Sequence, residues 1–300
     1  MSSNRILATG PGGQVGGAAV RALAGLGEVV APGRDRLDLA YSESIRAVMR
    51  EVRPKWVVNA AAHTAVDKAE SEPELAFAIN AEAPRVFGEE ARKIGAAVIH
   101  LSTDYVFDGA SARPYVETDP TGPLNVYGRS KLAGEQALAA TGATHFIFRT
   151  SWIYGATGKN FLLSILRMAR EREVLRIVGD QHGAPTWSED LARLAAHVIA
   201  QVGAPENAAA PSGIYHAGGA GETTWFGFAS AALDALRRRE PGAKLARVEA
   251  ISTAEYPTPA KRPVNSRLNC AKLERVFGWR MMDWRESLEQ VMDEVAAPVK

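Results

Sequence analysis

The most constraining stretch comes first. Arg5-Ile6-Leu7-Ala8-Thr9-Gly10 reads as a short buried strand, and it runs directly into the glycine cluster Gly10-Pro11-Gly12-Gly13. The small, apolar stretch over residues 14–24 predicts a helix ending near Gly25 or Gly27. Gly10-x-x-Gly13-x-x-Gly16 departs in spacing from Gly-x-Gly-x-x-Gly, yet it stands where a dinucleotide fingerprint must stand, after a strand and before a helix. Glycines there permit a tight turn and close backbone approach, and the helix N-terminus offers its positive end to a pyrophosphate. Gly10, Gly13, Gln14, Val15 and Gly16 are therefore the candidate phosphate contacts. No Lys-Ser/Thr follows Gly16, which argues against a nucleoside-triphosphate P-loop.

The chain keeps alternating after that turn. Residues 28–31, 55–61, 96–102 and 145–150 read as further strands. Ser42 is placed to cap a helix through Arg53, which Pro54 punctuates, and residues 73–94 read as helical with a kink or break at Pro84. Such alternation predicts an α/β fold, a Rossmann-type doubly wound parallel sheet covered on both faces. From Trp152 the rhythm loosens. Residues 159–173, 188–202, 225–239 and 284–295 read as helices, residues 175–178 and the start at Tyr215 as short strands, and 203–213 as a low-complexity surface connection. The expected division is a dinucleotide-binding domain over 1–155, with room for the chain to return to it within 174–217. Residues 156–300 form mainly a smaller C-terminal α/β substrate lobe.

Charge and cysteine usage narrow the partners. A formal net charge of +1 over 300 residues gives no electrostatic footprint for nucleic acid or an anionic membrane. Cys270 is the only cysteine, so no internal disulfide forms and a reducing compartment fits. No signal-peptide core precedes Arg5, and no apolar run approaches the ~20 residues that span a bilayer. The expectation is a soluble cytoplasmic protein with no nucleic-acid or membrane partner.

Chemistry concentrates around Tyr127-Gly128-Arg129-Ser130-Lys131. At this spacing on a helix the phenol and the ammonium share a face. A free Tyr, with a pKa of about 10, is a poor acid–base catalyst at neutral pH. A fixed cation beside the phenolate lowers that value, and ~3 units of lowering represent roughly 4 kcal/mol of differential interaction. A Tyr so tuned hands a proton to a carbonyl oxygen while a hydride arrives from elsewhere. Thr103 and Asp104 leave the fourth strand at its carboxyl end, the side where open α/β sheets bind ligands. At the end of the second strand Arg34 and Arg36 bracket Asp35. An Arg suits a 2′-phosphate, so NADPH is favoured and NADH left open. Asp38-Leu39 offer a carboxylate and an apolar contact to an adenine.

With the glycine turn, the Thr hydroxyl and the Tyr-Lys pair, the sequence resembles the extended short-chain dehydrogenase/reductase superfamily. Within it the dTDP-4-dehydrorhamnose reductase family is the closer match, nearly end to end. The runs that carry this are Asn59-Ala60-Ala61-Ala62-His63-Thr64-Ala65-Val66-Asp67, residues 102–109, Arg149-Thr150-Ser151-Trp152-Ile153-Tyr154-Gly155, Asp180-Gln181-x-Gly183-x-Pro185-Thr186 and Arg262-Pro263-x-Asn265-Ser266-x-Leu268.

The resemblance implies NAD(P)H-dependent reduction of the C4 ketone of dTDP-4-dehydro-β-L-rhamnose, giving dTDP-L-rhamnose for lipopolysaccharide and other cell-surface polysaccharide. It implies Tyr127 as the acid, Lys131 as orienter of the nicotinamide ribose and tuner of the phenol, and Thr103 on the C4 oxygen. Ala61, Ala62 and His63 would line the cofactor, although the family more often has Tyr at the last of these. Thr103, Asp104, Trp152 and Arg262 would contact the nucleotide-sugar. Some members hold a metal such as Mg2+ at a dimer contact. Ala18 stands where those have a Glu, so no metal is expected, although Glu189 is present; a homodimer is left open. Two alternatives stand beside this reading: an epimerase or dehydratase of the same superfamily, and a non-catalytic NADP-binding regulatory subunit.

Overall fold

The computed structural model describes residues 4–203 and 211–296. Most of the low-complexity connection expected over 203–213 falls on residues 204–210, outside the described residues.

Six parallel strands form the central sheet. The first five are β1 (Arg5–Ala8), β2 (Glu28–Val30), β3 (Trp56–Asn59), β4 (Ala97–Thr103) and β5 (Thr144–Thr150). Gly213–His216 adds the edge beside β5, so the order across the sheet is Gly213–His216, β5, β4, β3, β1, β2. The α/β class and the doubly wound parallel sheet expected from the sequence are present. The register sets Ile6 opposite Val29 and Trp56, and runs β4 on β5 from Ala97–Thr144 to Thr103–Thr150. Alternate strand residues feed two cores. Ile6, Trp56, Ile99 and Phe146 pack under the helices Gln14–Leu23 and Ser188–Val202, while Leu7, Val57, Val98 and Ile147 face Ser42–Val52 and Ala83–Ile94. After β2 the chain crosses to the other side of β1, and a crevice opens beyond the carboxyl ends at such a reversal.

Two expectations are corrected locally. Ser42 is the first helical residue, not the cap: Tyr41 takes the extended cap position, and the Ser42 hydroxyl donates to Glu82 Oε1 at 3.1 Å. The break expected at Pro84 falls just before it. Pro73–Phe77 is followed by a π-turn at Ala78–Glu82 and then by Ala83–Ile94. A proline ring clashes with the carbonyl four residues back, here Asn80, and the wider turn relieves that contact. The Asn80 carbonyl then lies where a Cβ on Gly134 would meet it at 2.0 Å, so only glycine lets the helix Val126–Ala140 dock there.

Beyond the sheet, Val174–Val178 pairs in parallel with Arg247–Ile251, a strand that the sequence pattern does not announce. Trp225–Arg239 and Trp284–Ala296 pack through Phe228, Trp284 and Leu288. The late segment around residues 260–268 folds back to the sheet's carboxyl end, with Tyr115 bridging to Leu268 and His182 to Asn265. Among the described residues no helix is long and apolar enough to cross a membrane.

Candidate active site

A cleft of about 620 Å3 lies over the carboxyl ends of the strands. The turn after β1 forms one wall. Gly10 sits at φ +66°, and its carbonyl accepts from Gly13 N at 2.9 Å. A Cβ on Gly16 would lie 1.9 Å from that same oxygen, so the helix can start this close to the strand only with glycine there. Gly13 caps the helix Gln14–Leu23 without a side-chain hydrogen bond, which leaves first-turn N–H groups open to the cleft. This cradle fits the pyrophosphate of a dinucleotide. Gln14, Val15, Ala61 and Ala62 also line it.

The opposite wall carries Thr103, Asp104, Tyr127, Lys131 and Trp152. Tyr127 and Lys131 lie early in the helix Val126–Ala140. Its cap, Asn125, accepts from Gly128 N at 2.8 Å and donates to the Lys261 carbonyl at 2.8 Å. Burial pushes the Tyr127 phenol up to about 12, against a lowering by the Thr103 hydroxyl. Burial likewise pulls Lys131 down to about 8, with Glu135 pulling it back up. The expected lowering of the phenol by this cation is not what the structure shows. Lys131 Nζ is directed instead to the Leu101 carbonyl at 2.5 Å and to His100 Nε2 at 3.2 Å. Burial also pushes the Asp104 carboxyl up to about 7, although the Thr103 hydroxyl donates to its Oδ1 at 3.1 Å. Its Oδ2 is buried without a partner.

Trp152 adopts φ +48°, a left-handed conformation rare for an aromatic residue, and stacks on Trp225 with ring centroids 3.7 Å apart. Both rings reach the cleft. Arg262 borders an adjoining apolar cleft of about 370 Å3 that shares Trp225. Its guanidinium is committed to Asp67 by two hydrogen bonds, at 2.8 and 3.0 Å.

The other candidate residues do not line the main cleft. Arg34 is exposed and pairs with Asp38 at 3.4 Å, and Arg36 pairs with Glu51. The Asp38 carboxylate also accepts from Ala40 N, while Leu39 is buried in the core facing Ser42–Val52. His63 Nε2 lies 3.4 Å from Glu72, and its Nδ1 is buried without a partner. Ala18 is buried in the core, and Glu189 pairs with Arg21. Among the described residues no cluster of three or more His, Cys, Asp or Glu is arranged to hold a metal.

Asn80, on the π-turn, was not visible in the pattern. Its side chain accepts from His63 N at 2.8 Å and donates to the His63 carbonyl and the Ser130 hydroxyl, each at 3.0 Å. It ties the loop after β3 to the Tyr-Lys helix. Trp225 escaped as well, although the Thr223-Thr224-Trp225 start of its helix, capped by Thr224, carried a signal.

The family model described as "RmlD substrate binding domain" matches residues 4–297. A dTDP-4-dehydrorhamnose reductase from Burkholderia thailandensis is 47% identical over 284 residues, which cover 94% of this chain and 95% of that protein. One from Escherichia coli K12 is 45% identical over 295 residues, 97% of each. Among solved structures, the dTDP-4-dehydrorhamnose reductase of Clostridium acetobutylicum superposes with a TM-score of 0.89 at 35% identity, covering 98% of this chain and all of that one. That of Bacillus anthracis, solved in complex with NADP, gives 0.88 at 33% identity over 97% of this chain and 99% of that one. The chain belongs to the dTDP-4-dehydrorhamnose reductase family, within the extended short-chain dehydrogenases/reductases.

Proposed function

We propose that the protein reduces the C4 ketone of dTDP-4-dehydro-β-L-rhamnose to dTDP-L-rhamnose with NADPH, and accepts NADH less readily. The observation that carries this reading is the single cleft shared by the glycine cradle, Thr103, Tyr127 and Lys131. Bound NADPH supplies the hydride. The protein's own part is to place the ketone and to supply one proton. Tyr127, with its phenol at about 12, is fully protonated at neutral pH. A phenol of that strength still protonates a sugar alkoxide, whose conjugate acid is comparable to water at about 16. The Thr103 hydroxyl, which lowers the phenol and donates to Asp104 Oδ1 at 3.1 Å, can turn from that carboxyl to the same oxygen, so the developing negative charge meets a second donor. Lys131 lines the same cleft four residues on from the tyrosine. The stacked Trp152 and Trp225 offer an aromatic face to the nucleotide-sugar. The same reading places the protein in the cytoplasm, supplying dTDP-L-rhamnose to surface-polysaccharide assembly.

The test is incubation with the keto-sugar and NADPH. Loss of reduced nicotinamide equal to the ketone consumed supports the reading. No loss sinks it, and turnover of sugar without net loss points to the epimerase or dehydratase alternative.

A further inference from the structure

A buried ion pair beside the reaction site has no part in the roles described so far. Glu135 lies one helical turn beyond Lys131 on Val126–Ala140, and Arg149 lies on β5; both are buried. Arg149 Nε donates to Glu135 Oε1 at 2.9 Å, and its Nη2 donates to Oε2 at 2.6 Å. The hydroxyl of Ser102, which stands opposite Arg149 where β4 pairs with β5, donates to the same Oε1. The guanidinium also lies over the Phe107 ring, 5.0 Å from its centroid.

Stability does not account for this arrangement. Replacing a buried ion pair by packed apolar side chains is often neutral or stabilising. Here Arg149 Nη1 is, in addition, buried without a partner, a cost that apolar side chains would not carry. What apolar packing lacks is direction. A guanidinium and a carboxylate joined by two parallel bonds meet in one relative position, and sliding either weakens both bonds together. The consequence falls on β4. Two of its successive residues are gripped from the one helix: Leu101 through its carbonyl by Lys131 Nζ at 2.5 Å, and Ser102 by Glu135. The next residue along β4 is Thr103, and Tyr127 stands one turn before Lys131.

We infer that Glu135, oriented by Arg149, is a positioning residue: it pins Ser102, and with it the carboxyl end of β4, so that Thr103 keeps its place relative to Tyr127 and Lys131. The inference deepens the reading of Thr103 and Tyr127 as parts of the ketone-reducing site, and rests on that reading for its catalytic meaning. The Glu135 charge has a further effect. It favours the Lys131 ammonium against burial, and at about 8 Lys131 stays mostly charged at neutral pH.

The experiment compares stability, turnover and local order in the full chain. Ser102→Ala, Glu135→Leu and Arg149→Met together exchange the polar cluster for apolar side chains. The urea midpoint of this variant should equal or exceed that of wild type. Its kcat should fall ~10–10²-fold, the scale of loss for reacting groups displaced by up to about 1 Å, with KM changing less. The Thr103 methyl resonance, single in wild type without cofactor, should broaden or split. Arg149→Lys keeps the charge but presents a point in place of the fork, so its kcat should fall several-fold while it stays folded. Wild-type kcat or an unsplit Thr103 signal in the folded triple variant overturns the inference, as does a kcat loss that only follows the loss of folded protein. If the triple variant does not fold, wild-type kcat in Arg149→Lys overturns it. So do Arg149 Nη protons averaged to one signal in wild type, because a guanidinium held through Nε and Nη2 cannot rotate freely. The methyl and guanidinium signals need no turnover. A protein that reduces no ketone, yet shows one Thr103 signal in wild type and a split one in the variant, keeps the clamp and loses the reaction.

Discussion

At the scale of single residues, burial keeps the Tyr127 phenol protonated at neutral pH. Tyr127→Phe removes the acid and little else, so kcat should fall ~10²–10⁴-fold, while NADPH affinity followed by nicotinamide fluorescence stays close to wild type. Retained turnover would remove Tyr127 from its role. Asp104 gives a prediction about pH. Its carboxyl sits at about 7 in the folded protein, against ~3.9 in an unfolded chain. The favourable contribution of the neutral acid is therefore complete below pH ~4 and is lost as pH rises through about 7, up to an order of 4 kcal/mol. Asp104→Asn mimics the neutral acid. Its melting temperature relative to wild type should climb between acid and mildly alkaline pH, and parallel curves would contradict this. Tyr127, Lys131 and Thr103 were legible in the sequence because their spacing and their place at a strand end carry chemistry. Asn80 and His100 were not, because their partners come from elements far along the chain.

At the scale of elements, the helix Val126–Ala140 is placed by its cap and by one close approach. Asn125 both caps that helix and holds the Lys261 carbonyl. Asn125→Ala should cost about 1–2 kcal/mol for the cap alone, read as a lower urea midpoint, and kcat should drop with it. Gly134→Ala drives a methyl into the Asn80 carbonyl and should destabilise by ~1–3 kcal/mol or more. An unchanged urea midpoint would mean the π-turn gives way without cost. The sequence pattern located this helix, the glycine turn and the buried strands, whose signals are local. It flagged Pro84 as a break, but it did not show a π-turn. That geometry depends on where the displaced Asn80 carbonyl finds room, and the room is made by Gly134.

For the molecule as a whole, the decisive contacts join residues far apart in sequence. Arg262 reaches Asp67 across 195 positions, and holds that carboxyl below its usual range. Asp67 accordingly favours the folded state at neutral pH, and this is lost as pH falls through its lowered value. Arg262→Ala should speed hydrogen exchange over residues 260–266 and raise KM for the keto-sugar several-fold, with less effect on kcat. Unaltered exchange there would show that the ion pair holds nothing in place. The parallel sheet was legible because alternation is written along the chain, whereas the pairing of Val174–Val178 with Arg247–Ile251 was not, since neither short strand announces its partner.

The return of residues 260–268 to the carboxyl end of the sheet also bears on synthesis and on engineering. A ribosome must deliver the chain through residue 262 before Lys261 can meet Asn125 and Arg262 can meet Asp67, so the pocket matures only after that late segment has emerged. A chimera that exchanges C-terminal halves between relatives must therefore match this returning segment to its host's Asn125 and Asp67, or the grafted half will sit on an unlatched floor.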